Sequence, residues 1–430
     1  MSTTARFALL ALAVAGCRTQ HIAAEHPREH AREQPPAGPA QPQPETPAPP
    51  APTPVPPGPP PEDRLVLQRV SFADLPGWSE DEVGKAIPAL VRSCTRLRRL
   101  GDDEQVGRTD TGGLAGDWRR ACQRAERVPA ADHARARAFF EAEFVPFLAS
   151  NNGDPIGRFT GYHEPLLHGS RRRHGKYRTP LYRRPSDLVM VDLSKFLDDA
   201  RGRRLWGRVV GRQLQPFDTR ADIVGGSLAG KKLELFWLDD PIDAFFVQVQ
   251  GSGRVELENG HEIRVGYAAT NGHRYTAIGR VLIEEGHLTR ESVSMQSIRA
   301  YLESHPRRAD EVMNRNESYV FFDTVEGAGP IGSQGVVLTA ERSVAIDRNF
   351  IPQSAPLWLD TVAPIAGAAG EQPLRRLVIA QDTGGAILGP VRADVYWGGD
   401  DAAADVAGRM KSRGRYFLFL PVAAAARLPE

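Results

Sequence analysis

The sequence predicts a mainly β fold with flanking helices, of the α+β class. Three observations predict it. Helical periodicity is confined to two stretches before about residue 150 and to 275–313. Short apolar runs separated by Gly, Asp and Asn fill about 157–258 and 319–420. Strands and helices therefore do not alternate as a parallel α/β sheet requires, and no repeat of fixed period marks a solenoid or propeller.

The chain has 430 residues, 41% hydrophobic and 25% charged, with a formal net charge of +1. That is an ordinary globular composition, and nothing global points to nucleic acid. Arg6 followed by the apolar run Phe7–Ala15 reads as a signal segment, too short to span a bilayer. It ends in Val14-Ala15-Gly16-Cys17, which looks like a lipobox with Cys17 as the lipidated residue. Arg18 rather than Asp after it favours the outer membrane, with the chain facing the periplasm. Residues 18–62 form a linker that becomes Pro/Ala-rich from Pro47 to Pro61 and favours extended polyproline conformations. Cys94 and Cys122 then remain, as a disulfide in an oxidising envelope or as two buried thiols. Arg171–Arg173, Arg183 and Arg184 read as a solvated basic loop.

Order is expected from about Leu65. Ser79 and Glu82 predict a capping box, with Trp78 and Val83 as a staple, ahead of a helix on Val83, Ile87, Leu90, Val91 and Cys94. Pro88 predicts a kink or early break in it. A second helix is predicted over 131–148, with Phe139, Phe140, Phe144 and Phe147 in the core. Leu233–Leu238 and Ala244–Gln250 are the clearest predicted strands.

The chemistry is expected around 376–396. Leu377–Ala380 reads as a buried strand running into Gln381-Asp382-Thr383-Gly384-Gly385, a tight turn. In the next strand, alternation puts Val391, Ala393 and Val395 on one face and Arg392, Asp394 and Tyr396 on the other. A carboxyl beside a base and a ring suits a sugar groove; a turn cap and a surface ion pair are the structural alternatives. Thr160-Gly161-Tyr162, Gln250-Gly251-Ser252 and Gly266-Tyr267 supply further hydrogen-bonding groups, as binding of a polyhydroxyl ligand requires. His163, His168 and His174 lack the spacing of a metal site, and no phosphate loop is present, so no metal or cofactor is expected.

The stretches FTGYHEP, VQVQGSGRVELENG, GYAATNGHRYTAIGRVLIEEG, SMQSIRAYL, AIDRNFIP, AQDTGGAILG and ADVYWG, in this order, resemble the membrane-bound lytic murein transglycosylase A family. The likeness runs from about Gly157 to the end. The C-terminal part also resembles the three-aspartate domain, whose aspartates here would be Asp347, Asp382 and Asp394. The resemblance implies a double-psi β-barrel domain over 63–166 and 327–430, a second β domain inserted over 167–326, and a glycan groove between them. It implies Asp394 as the catalytic acid, Asp382 in support, and Thr160, Gly161, Tyr162, Gln250, Gly251, Ser252 and Tyr267 as groove residues. The implied reaction cuts the bond between N-acetylmuramic acid and N-acetylglucosamine in peptidoglycan, closing a 1,6-anhydro ring without water. Two other readings stay open: a glycoside hydrolase using Asp382 and Asp394 as a pair, and a non-catalytic wall-binding lipoprotein. The expected partners are peptidoglycan strands, the membrane through the lipid anchor, and proteins of cell-wall synthesis or hydrolysis, with no nucleic acid.

Overall fold

A computed structural model describes residues 62–197 and 204–428. Cys17 and all but the last residue of the linker lie outside the described residues. The described strands are, in chain order, β1 Leu65–Arg69, β2 Phe144–Asn151, β3 Gly157–Tyr162, β4 Leu166–Ser170, β5 Thr179–Tyr182, β6 Val189–Asp192, β7 Arg204–Val210, β8 Gln213–Gln215, β9 Glu234–Leu238, β10 Ser252–Leu257, β11 Glu262–Thr270, β12 Val320–Thr324, β13 Ser343–Ile346, β14 Pro356–Pro364, β15 Glu371–Asp382, β16 Arg392–Tyr396 and β17 Lys411–Pro421. With the helices between them they make a mixed α+β fold.

One sheet runs β1-β2-β17-β14-β15-β13-β16-β3, and β17 also pairs with β3. That extra pairing closes β17, β14, β15, β13, β16 and β3 into a ring of six strands, which leaves those six no open edge. Two of its pairings are parallel, β13 with β15 and β3 with β16. Leu377, Val378, Ile379 and Ala380 are all fully buried, because β15 packs inward on one face and under helices on the other. A strand covered on both faces reads as a continuous apolar run rather than an alternating one. A second sheet runs β12-β11-β10-β4-β9-β5, and β6-β7-β8 form a small third sheet.

Three helices flank the ring, Ile87–Leu97, Ala115–Ala125 and His133–Glu143. The capping box expected at Ser79 does not form. Val83–Ala86 is a 3-10 turn, and the α-helix starts at Ile87 with Pro88 in its first turn, where a missing N–H costs nothing. The helix expected over 131–148 stops at Glu143, and Phe144–Asn151 is a strand. The four phenylalanines fit either element by spacing. Pro146 cannot continue a helix, and pairing of this segment with both β1 and β17 decides the matter. The strand expected at Ala244–Gln250 is also corrected: Pro241–Gln250 is a helix. It is buried nearly all round, so no period shows in its sequence. Its ends carry the signal instead: the Asp240 carboxylate accepts the Ile242 N–H at 2.8 Å, Pro241 opens the first turn, and Gly251 closes it at φ 81°.

Cys94 and Cys122 form a disulfide with Cα atoms 5.5 Å apart, joining the first two helices across 28 residues of chain. The loop it closes limits the unfolded chain. Replacing both cysteines by alanine should therefore lower unfolding free energy by about 3 kcal/mol. Urea melts of parent and variant, compared with the parent under reductant, check this; equal midpoints would overturn it.

Candidate active site

The site grows from the register of β13. Ala345 lies opposite Asp382 of β15 on one side and opposite Asp394 of β16 on the other. Asp394 in turn lies opposite Thr160 of β3. Residues opposite one another in a sheet point to the same face. Asp382, Ala345, Asp394 and Thr160 thus form one row across four strands. The small Ala345 side chain leaves the space between the two aspartates. Neighbouring strands are about 4.8 Å apart, so the aspartate backbones stand roughly 10 Å apart.

The two carboxyls have different surroundings. The Thr160 hydroxyl donates to Asp394 Oδ1 at 2.5 Å and accepts from Arg392 Nη2 at 2.8 Å. Burial pushes the Asp394 carboxyl above the usual carboxylate range; Arg392 and Thr160 pull it back, and the Asp382 charge adds to the rise. Asp394 nevertheless keeps part of its surface open, as a group that exchanges a proton with a ligand must. Asp382 is engaged on both oxygens. Oδ1 accepts the Ser333 and Thr383 N–H groups at 2.8 Å each, and Oδ2 accepts the Tyr162 hydroxyl at 2.9 Å. Burial raises its pKa too, against the pull of those donors. The Tyr162 phenol, buried and beside Asp382, is held well above its ordinary value. Asp347 does not join the row. Its oxygens accept the Asn349 and Gly389 N–H groups at 2.9 Å, tying together the loops after β13 and β15.

Other residues singled out in the sequence are placed less closely. A Cβ on Gly161 would lie 2.6 Å from Trp397 Nε1 and 2.9 Å from the Ala407 Cα, so β3 can approach the helix Asp401–Arg409 only with glycine there. Gln250, the last residue of its helix, accepts the His163 N–H at 3.0 Å and so holds the chain just after β3. Gly251 caps that helix, and buried Ser252 opens β10 opposite Gly266. Neither makes a hydrogen bond to the aspartates. Tyr267 is half exposed on β11, and the charges that act on its phenol are those of Arg204, Arg348 and Arg184, not the aspartates.

Two neighbours of the aspartates were not singled out in the sequence. Tyr275 lies in the field of the Asp394 charge, and its Cβ is 4.0 Å from the position a Cβ would take on Gly385. Only its place within the GYAATNGHRYTAIG stretch hinted at it. Ser333 acts through its backbone N–H, which no side-chain pattern reveals. Beneath the site, fully buried Gln381 donates to Ala89 O at 2.8 Å and Ser93 Oγ at 2.9 Å, and accepts from Ser343 Oγ at 2.6 Å. This satisfied network fixes the end of β15 against the first helix.

Among the described residues no group of three or more His, Cys, Asp or Glu side chains could hold a metal ion. His168 and His174 pair instead with Glu256 and Glu258, each at 3.2 Å. Among the described residues no helix is long and apolar enough to cross a membrane.

Comparison with known proteins adds the following. Residues 158–323 match the family described as the MltA specific insert domain, and residues 342–420 match the 3D domain. The chain is 33% identical over 266 residues to membrane-bound lytic murein transglycosylase A of Escherichia coli K12, covering 61% of this chain and 65% of that protein. The chain thus spans just under two thirds of the length of that curated relative. The crystal structure of membrane-bound lytic murein transglycosylase from Agrobacterium tumefaciens superposes with a TM-score of 0.75 at 35% identity, covering 84% of this chain and 99% of that one. The structure of E. coli MltA with bound chitohexaose superposes with a TM-score of 0.56 at 25% identity, covering 83% and 91%.

Proposed function

Because the chain belongs to the membrane-bound lytic murein transglycosylase A family, we propose that it cleaves the β-1,4 bond between N-acetylmuramic acid and N-acetylglucosamine in peptidoglycan and leaves a 1,6-anhydro end. Asp394 is the acid and Asp382 its support. The observation that carries this reading is the contrast between the two carboxyls. Both are partly exposed with raised pKa values, but Asp394 accepts from Thr160 on Oδ1 alone, while Asp382 has both oxygens engaged by three donors.

Protonated Asp394 gives its proton to the glycosidic oxygen as the bond from that oxygen to C1 of the muramic sugar breaks. The resulting carboxylate takes the proton of the same sugar's C6 hydroxyl. That oxygen bonds to C1, and no water enters. Asp394 ends the cycle protonated. Thr160 holds its carboxyl in place by donating to Oδ1, and Arg392 stabilises the carboxylate formed midway. A hydrolase would need a second carboxyl as base or nucleophile, and Asp382 already accepts three hydrogen bonds, two on Oδ1 and one on Oδ2, which hold it as a fixed support. The structure of the E. coli relative with a bound chitohexaose supports a glycan ligand for this site.

Residues 63–166 with 327–430 form one domain of this reading and 167–326 the other, with the glycan groove between them. The separate strand membership of the ring and the second sheet supports that division. Cys17 carries the lipid that holds the protein at the outer membrane, facing the periplasm; the relatives' names, membrane-bound, agree with an anchor.

Mass spectrometry of murein digested by the full-length protein tests the reaction. Muropeptides lighter by one water than hydrolysed ones are expected. Reducing-end products would mean a hydrolase, and no release would leave a binding protein. The pH profile tests the acid. Activity needs the proton on Asp394, so it should fall as pH rises through that group's raised pKa. Arg392→Met removes the nearby cation that lowers this pKa and should move the alkaline limb to higher pH. An unmoved limb would take the acid's role from Asp394.

A further inference from the structure

A second feature adjoins the site and has no part in the reaction above. A cleft of about 420 Å³ is lined by five guanidinium groups, those of Arg96, Arg99, Arg108, Arg204 and Arg348. They come from distant parts of the chain: the end of the first helix, the loop after it, the start of β7 in the small sheet, and the loop after β13. Among the described residues Arg96, Arg99, Arg204 and Arg348 have no ion pair, unlike Arg264, which meets Glu164 at 2.6 Å. Arg108 reaches Asn349. Among the described residues, the carboxylates that act on Arg108 and Arg348 are Asp347 and Asp192, and both oxygens of Asp347 already accept backbone N–H groups. Arg108, Arg204 and Arg348 repel one another, as the lowered pKa of Arg108 and of Arg348 records, with burial the largest cause in each. Among the described residues, four guanidinium groups without an ion pair thus converge on one cleft, where a bound anion would relieve their mutual repulsion.

The cleft adjoins Asp382 through one residue. Ser333 lines it, and the Ser333 N–H is a donor to Asp382. Tyr267, a groove residue of the proposed function, lies in the field of Arg204 and Arg348. We propose that this cleft is a subsite for the carboxylates of the stem peptide carried by the muramic sugar, making the enzyme selective for peptide-bearing over bare glycan. The inference rests on the murein reading. A glycan is nearly all neutral hydroxyl, whereas a stem peptide hangs from the sugar at the bond to be cut and ends in free carboxylates. Guanidinium forks bind carboxylates through paired N–H donors and keep their charge at every relevant pH.

Two measurements on the full-length protein test this. Calorimetric titration with a free stem tetrapeptide, against the same peptide with amidated carboxyls, reads the site without catalysis. The acid form should bind at least tenfold more tightly, more weakly in high salt, and the preference should vanish in the double variant Arg204→Gln, Arg348→Gln. Equal binding of both forms by the parent would overturn the proposal. The second measurement compares kcat/KM on murein strands with and without their peptides. The double variant should lose about tenfold on peptide-bearing strands and less than twofold on bare strands. An equal loss on both would overturn it. Should the double variant fail to unfold cooperatively, Arg99→Gln on the exposed rim replaces it in both measurements. Selective peptide binding by a parent that cleaves neither substrate would support the subsite and sink the proposed reaction.

Discussion

Asp394→Asn should reduce anhydro-product release by at least about a thousandfold while leaving the protein folded. The proposed reaction asks one group to donate a proton and then to take one back. Asparagine does neither, and Asp382 cannot substitute because Tyr162, Ser333 and Thr383 hold it in place. General acid–base groups contribute roughly 10²–10⁴ in rate, and here one residue serves both steps. The same variant should be at least as stable as the parent at neutral pH. A raised folded-state pKa means that the native protein binds a proton the unfolded chain has already lost. The parent's stability therefore falls as pH rises from the ordinary carboxylate range to the raised pKa of Asp394. Asparagine does not titrate, so its advantage should grow across that window and close below it. Thermal melts at several pH values and product analysis by mass spectrometry check both halves. Retained activity would remove Asp394 from the chemistry, and a collapsed melt would make its role structural.

Asp81→Ala should cost about 3–5 kcal/mol of stability, the range for breaking one side of a buried pair. Asp81 and Arg342 are each 6% exposed and meet through two hydrogen bonds, 2.7 and 2.8 Å long. The same carboxylate accepts the Leu377 N–H at 3.0 Å, and Arg342 donates to Leu377 O at 2.9 Å. Removing Asp81 leaves a buried guanidinium without its counter-charge, held by Leu377 O alone, and a buried backbone N–H without its acceptor. The damage falls next to the start of β13 and the middle of β15, which set the register of Asp382 against Ala345. Urea denaturation should show a lower midpoint with an unchanged slope, and a midpoint equal to the parent's would show that the pair contributes no stability.

Asp81 also illustrates what a local reading of the chain misses. By sequence, Ser79 to Glu82 reads as a helix start, and Asp81 as one of its acidic residues. Its partner is 261 positions away, and local propensity carries no information about such a contact. Errors in element type have the same origin. Phe144–Asn151 has spacing that fits a helix, yet it fills a place between β1 and β17. Pro241–Gln250 was hidden because a helix buried on nearly all sides has no polar face to set a period. Its cap residues Asp240 and Gly251 were the better guide.

Much of the candidate site was nonetheless legible. Alternation in Val391–Tyr396 separated Asp394 from its buried neighbours, and the Asp-Thr-Gly-Gly turn marked the end of β15, because both follow from backbone geometry within a few residues. The amino-acid sequence by itself determined the α+β class, the position of Asp394 on a strand's accessible face, and, through its motifs, the family. Only the tertiary structure decided that Ala345 stands between two aspartates, that Asp382 accepts three hydrogen bonds and Asp394 one, and that arginines from four parts of the chain share one cleft. The first set depends on short-range sterics and periodicity, which each segment carries with it. The second depends on strand register and burial, which exist only once residues hundreds of positions apart have been brought together.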